Sequence, residues 1–104
     1  MTVTTIGTSQ IHVDAEGFLT DYDEWSQDLA TQLAAQIGIE LTDAHVRVLT
    51  FLRSDYAEQG ETATLRRVST QAGIPVKELF SLFPGKPAKK MAYIAGLPKP
   101  VGCV

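Results

Sequence analysis

The chain has 104 residues, 44% hydrophobic and 20% charged, with a formal net charge of −3, which is the usage of one small globular domain. It contains no run of 18 apolar residues to cross a bilayer, and Met1-Thr2-Val3-Thr4-Thr5 lacks the basic and apolar regions of a secretory leader, so a cytoplasmic location and no membrane partner are expected. A single cysteine excludes an internal disulfide and a cysteine-built zinc cluster, and His12 and His45 alone make no metal site.

β-Branched residues on both sides of Gly7-Thr8-Ser9 predict a β-hairpin within about residues 2–19. Asp14-Ala15-Glu16-Gly17 reads as a turn leading to a short third strand at Phe18-Leu19. A lone hairpin is marginal in water, so it must lie against helices. Trp25, Leu29, Leu33 and Ile37 recur every four residues and predict an amphipathic helix, with Asp21 or Asp23 as its cap and Gly38 as its end. Thr42 opens a second helix with Val46, Leu49, Leu52 and Tyr56 along one face, closed by Gly60. A third helix is expected over Ala63 to Ala72, stopped by Gly73. Pro75 opens a fourth, carrying Val76, Leu79, Phe80 and Phe83 up to Pro84-Gly85, and Pro87 opens a short fifth through Met91 and Ile94 to Gly96. Trp25, Tyr56, Phe80 and Phe83 are expected in the core, and His45 as a capping or packing histidine.

Beyond Gly96 the pattern stops. Two prolines and a glycine in Leu97-Pro98-Lys99-Pro100-Val101-Gly102-Cys103-Val104 forbid helix and make a poor strand. The expected fold is therefore mainly α: a single helical domain over 1–96 with an N-terminal β-hairpin, built as a compact bundle of about five helices. An extended, flexible C-terminal arm over 97–104 carries Cys103. Eight residues at ~3.3 Å each reach on the order of 25 Å.

Charge is unevenly spread. Residues 1–76 hold four arginines against eleven carboxylates, a net of −7, whereas residues 77–104 hold five lysines against Glu78, a net of +4. A basic end suits an anionic partner. Cys103 is the only thiol, and it stands at the end of a proline-stiffened spacer, a position suited to passing a group between two sites. Its reactivity needs the thiolate, which Lys99, Lys86, Lys89 and Lys90 favour and the terminal carboxylate opposes. Lys99 and Lys89 are candidate steering residues. Arg66 offers a planar fork for the tail carboxylate or a sulfur oxyanion.

Leu65 to Phe83, with a tight turn at Ala72-Gly73-Ile74, also reads as a helix-turn-helix-like pair, so a DNA-binding or regulatory protein is the alternative. Its second helix offers only Lys77 and Ser81 to a groove, in a chain of pI near 5.2. No phosphate loop, nucleotide fingerprint or Ser-His-Asp order is present, and the start of a capped helix explains Asp21, Asp23, Glu24 and Asp28. An independent catalyst is not expected.

The segment Leu82-Phe83-Pro84, Pro87-Ala88-Lys89 and Ile94-Ala95-Gly96-Leu97-Pro98-Lys99-Pro100-Val101-Gly102-Cys103-Val104 closely resembles the DsrC/TusE family. Weaker matches run upstream through Asp14-Ala15-Glu16-Gly17-Phe18-Leu19, Trp25, Leu41-Thr42 with His45, Phe51-Leu52-Arg53, Tyr56 and Arg66. The resemblance implies a mostly helical fold with an N-terminal hairpin, and a persulfide sulfur carried on Cys103 with no other cofactor. Implied partners are sulfur-donor and sulfur-acceptor proteins: sulfurtransferases, a sulfite reductase or tRNA-thiolation machinery. Some family members have a second cysteine eleven residues earlier, where this chain has Ala92. That leaves a one-cysteine carrier of the TusE kind, in which an internal trisulfide is chemically impossible. The stretch from Gly73 to Leu79 is shorter than in the family, and Val46 stands where a tryptophan is common.

Overall fold

Strand β1 (Thr2–Ile6) pairs antiparallel with β2 (Ser9–Val13), with Thr2 opposite Val13 and Ile6 opposite Ser9. The structure is a computed structural model and describes residues 2–7 and 9–100. Alternation turns Ile11 and Val13 inward, where they bury against Leu19, Leu29 and Leu33. The third strand expected at Phe18-Leu19 is a single bridge between Val13 and Leu19. The Asp14 carboxylate accepts from the Glu16 and Phe18 amides, so the chain turns there instead of extending.

A 3-10 turn (Tyr22–Glu24) follows, capped by Asp21. Helix α1 (Gln27–Gln36) starts later than the periodicity implied, and its cap is Ser26, whose hydroxyl accepts from the Leu29 amide. Asp21 therefore caps the 3-10 turn, and neither Asp21 nor Asp23 caps α1. Helix α2 (Asp43–Gln59) opens on Thr42 as expected, with His45 completing a reciprocal capping box. His45 Nε2 also lies 2.7 Å from the Leu82 carbonyl, so this histidine is a structural cap. Helix α3 (Leu65–Ala72) begins two residues after the expected Ala63, because Thr64 is its cap. Gly73, with φ of 71°, turns the chain towards α4 (Val76–Leu82). Pro87 opens α5 (Pro87–Ile94).

The main core lies between the helices and gathers Ala30, Ala34, Val48, Leu49, Leu52, Val68, Leu79, Phe83, Met91 and Ile94. Trp25 and Tyr93 pack against both this cluster and the smaller one under the hairpin. Phe83 is in the core as expected, but Phe80 is 48% exposed and Val76 40%. On α4 (Val76–Leu82) only Leu79 is buried, and the Phe80 and Val76 side chains are left largely outside the core.

Candidate functional site

The last turn of α5 sets where the C-terminal segment leaves the body. Gly96 has φ of 70°, its amide donates to the Tyr93 carbonyl, and the Leu97 amide donates to the Ala92 carbonyl. These two bonds make a Schellman ending, with glycine at the left-handed position. Two helix-end carbonyls remain, and both receive side-chain donors. Trp25 Nε1 donates to Ile94 O at 2.9 Å, and Arg53 Nη1 donates to Ala95 O at 2.9 Å. A cation at this end also meets the negative pole of the helix dipole.

Arg53 is held on every side. Its Nη2 donates to Tyr22 O at 2.7 Å, and its guanidinium carbon sits 3.9 Å from the Tyr22 ring centroid and 4.4 Å from that of Trp25. The Tyr22 hydroxyl donates back to Arg53 O, and the Tyr22 ring stacks on Tyr56. Burial lowers the Arg53 pKa from its ordinary value, Tyr22 and Asp23 oppose that shift, and the group stays a cation. From the sequence alone, Arg53 carries no assigned role. Its signal was an arginine four residues after Leu49, on the apolar stripe of α2.

The segment continues to be fastened past the helix. Leu97 is 0% exposed, and Pro98 O accepts from the Thr62 hydroxyl at 2.7 Å. Pro100 is buried. Thus the described part of the expected arm, 97–100, is docked on the body through Leu97, Pro98 and Pro100. Thr62 lies on the α2–α3 connection, which the Asp55–Arg67 ion pair spans at 2.7 Å. Asp55 is buried, and sequence reasoning missed this pair because its members lie on different helices.

Cys103 lies outside the described residues. Lys99 is exposed, with Nζ 3.6 Å from Glu16 Oε2. Lys89 lines an open groove of about 300 Å³ whose wall includes Glu16, Phe18, Ile37, Lys90 and Tyr93. Burial raises the Tyr93 pKa, so its hydroxyl stays protonated at neutral pH. Glu16 therefore brings Lys99 and the Lys89 groove to one place. Lys90 donates to Pro84 O and caps a loop. Arg66 is exposed on α3 and is not among the residues lining this groove. Ala92 is fully buried in α5. Among the described residues no group of three or more His, Cys, Asp or Glu is arranged to hold a metal ion, and no helix is long and apolar enough to cross a membrane.

The family profile described as "DsrC like protein" matches residues 5–104. A sulfurtransferase TusE of Sodalis glossinidius is 40% identical over 103 residues, covering 92% of this chain and 95% of its own. The gamma subunit of the dissimilatory-type sulfite reductase of Nitratidesulfovibrio vulgaris is 36% identical over 93 residues, covering 88% of this chain and 89% of its own. The NMR structure of Allochromatium vinosum DsrC superposes with a TM-score of 0.85 at 36% identity, covering 98% of this chain and 97% of that one.

Proposed function

The chain belongs to the DsrC-like protein family, and from that premise we propose that it is a sulfur-relay protein whose Cys103 accepts sulfane sulfur as a persulfide and hands it to an acceptor protein. The relatives' names, a sulfurtransferase and a sulfite reductase subunit, support the relay role. The observation that carries the proposal is that the sole thiol of the chain stands three residues beyond a root bolted to the body. A cysteine kept for packing belongs inside a helix or strand.

The transfer balances without an outside oxidant. The Cys103 thiolate attacks the outer sulfur of a donor persulfide, R–S–SH. The Cys103 Sγ–S bond forms, the donor S–S bond breaks, and the donor leaves as its thiolate. The proton stays on the transferred sulfur, and no net electrons move. Thiolate fraction, leaving-group pKa and access govern the rate, as in thiol–disulfide exchange. With no second cysteine in the chain, the persulfide has no internal thiol to attack it, so its release requires a partner. Lys99 and Lys89 favour acidic partner surfaces and an anionic sulfur at the root of the tail. Arg66, on the exposed face of α3, serves as an accessory anion contact for such a partner.

The test is intact-protein mass spectrometry after incubation with a persulfide donor. A gain of one sulfur atom that is removed by reductant and absent in Cys103→Ser is expected. No gain in the wild-type protein overturns the proposal.

A further inference from the structure

We infer that the groove between the turn at 14–18 and α5 is a docking site for a partner protein, and that it takes an acidic segment with one apolar side chain between carboxylates. The inference rests on the relay reading above for who that partner is, a donor or acceptor of sulfur, and adds where the partner holds on. The groove, of about 300 Å³, is lined by Glu16, Phe18, Ile37, Lys89, Lys90 and Tyr93. Lys89 and Lys90 precede Tyr93 by four and three residues, so one side of α5 carries both ammonium groups beside a phenol ring. Phe18 meets that ring edge-on, with centroids 6.0 Å apart. Phe18 is buried and Tyr93 and Ile37 are half-buried, which makes the floor apolar. Burial keeps the Tyr93 hydroxyl protonated, so it adds no negative charge.

The charges around this floor select the occupant. Lys89, Lys90 and Lys99, the last through its 3.6 Å contact with Glu16, set three ammonium groups against one carboxylate, on a chain of net charge −3. Lys90 is fixed by its bond to Pro84 O, and Lys89 makes no ion pair among the described residues. The arrangement disfavours the helix that carries it. Helices α1, α2 and α4 have Asp28, Asp43 and Glu78 in their first turns, whereas α5 has no acid there and starts at Lys86 with no side-chain cap. Lys89 and Lys90 thus stand at the positive pole of the helix dipole, where a cation destabilises and a docked carboxylate relieves the repulsion. A small ligand needs an enclosed pocket to bury most of its surface, and this groove is open, which suits one anchoring side chain of a larger partner. Nucleic acid fits less well, because three lysines neutralise only about three phosphates, too few to hold it on an acidic chain.

The test is a titration of the reduced, full-length ¹⁵N-labelled protein with a synthetic peptide, acetyl-Gly-Glu-Asp-Phe-Glu-Asp-Gly-amide, followed by amide chemical shifts. Saturable shifts are expected at Phe18, Ile37, Lys89 and Tyr93, with a Kd on the order of 1 mM at low salt. Alanine in place of the peptide's phenylalanine should weaken binding about tenfold, as should raising salt to about 1 M. Lys89→Glu should weaken it by a similar factor while leaving Tm at or above the wild-type value, because the substitution exchanges a cation for an anion at the start of α5. A merely structural lysine would not lower affinity while the fold gains stability. No saturable shift up to about 10 mM peptide overturns the inference. So does equal affinity of the alanine peptide or of Lys89→Glu, or a loss of affinity that accompanies a fall in Tm. Tighter binding of a single-stranded oligonucleotide at the same amides assigns the groove to nucleic acid and overturns it, and shifts of these amides with protein concentration alone assign it to a second copy of the chain and do the same. The titration involves no sulfur transfer, so it stands or falls apart from the persulfide proposal.

Discussion

Gly96 meets three demands at once: it ends α5, reverses the backbone, and lets two distant side chains close over it. With φ of 70°, an ordinary residue is strained there. A Cβ would also stand 2.5 Å from Trp25 Cδ1 and 2.8 Å from Leu19 Cδ2, closer than real contacts allow. Gly96→Ala is therefore expected to destabilise by about 2 kcal/mol, adding backbone strain to displacement of the indole. In a domain of this size that lowers Tm by roughly 10 °C, read by circular dichroism. An unchanged Tm would mean that the indole moves aside freely and that the root is not clamped. The glycine was legible in the sequence as a helix stop. Its second duty was not, because Trp25 lies 71 residues away and periodicity carries no information on which distant ring covers which turn. Arg53 was similarly visible only as an odd cation on an apolar stripe.

At the scale of elements, the helices were readable wherever a cap and a stripe agreed. Thr42 with Gly60, and Pro87 with Gly96, bracket α2 and α5 closely. Where two capping residues compete, the sequence pattern alone sets the boundary too early: Asp21 caps the 3-10 turn, while Ser26 caps the true start of α1. Phe80 shows the other failure, because on a two-turn helix a single buried residue, Leu79, is enough to dock it. The exposed residues of α4 include Val76 and Phe80 beside Lys77 and Glu78, a mixture that adds nothing to a DNA reading. The hairpin depends on a polar tie. Glu24 accepts from the His12 amide at 2.8 Å and meets His12 Nδ1 at 2.6 Å, joining β2 to the 3-10 turn. The amide bond first, and the ring second, hold the Glu24 carboxyl below its ordinary 4.5. A carboxyl with a lowered folded pKa contributes stability that is present above its unfolded pKa and is lost as pH falls. The Tm advantage of wild type over Glu24→Gln should therefore be full at pH 6, shrink below about pH 4.5, and vanish once Glu24 is protonated in the folded state. A pH-independent difference in thermal melts from pH 6 to pH 3 would show that the carboxylate charge is not what fastens the hairpin.

For the molecule as a whole, geometry and charge point to the same end. The acidic body, net −7 over residues 1–76, is continuous with a segment of net +4 that contains the fastened root and the Lys89 groove. Opposite charges on a partner would steer that end into contact before any sulfur moves, and such steering weakens as salt shortens the screening length from about 10 Å at 0.1 M to 3 Å at 1 M. Lys99 is the sensitive position, because it stands at the root and its Glu16 partner is exposed, so that the pair itself adds little stability. Lys99→Glu reverses one charge beside another carboxylate while leaving every bond of the α5 ending in place. The expected outcome is an unchanged Tm to within a few degrees, a several-fold fall in the second-order rate of transfer from a protein donor at low salt, and convergence with wild type as salt is raised towards 1 M. Transfer from a small uncharged persulfide should be nearly the same in both proteins. If the two proteins differ equally at all salt concentrations, the lysine acts through local geometry at the root and not through the field of the basic end.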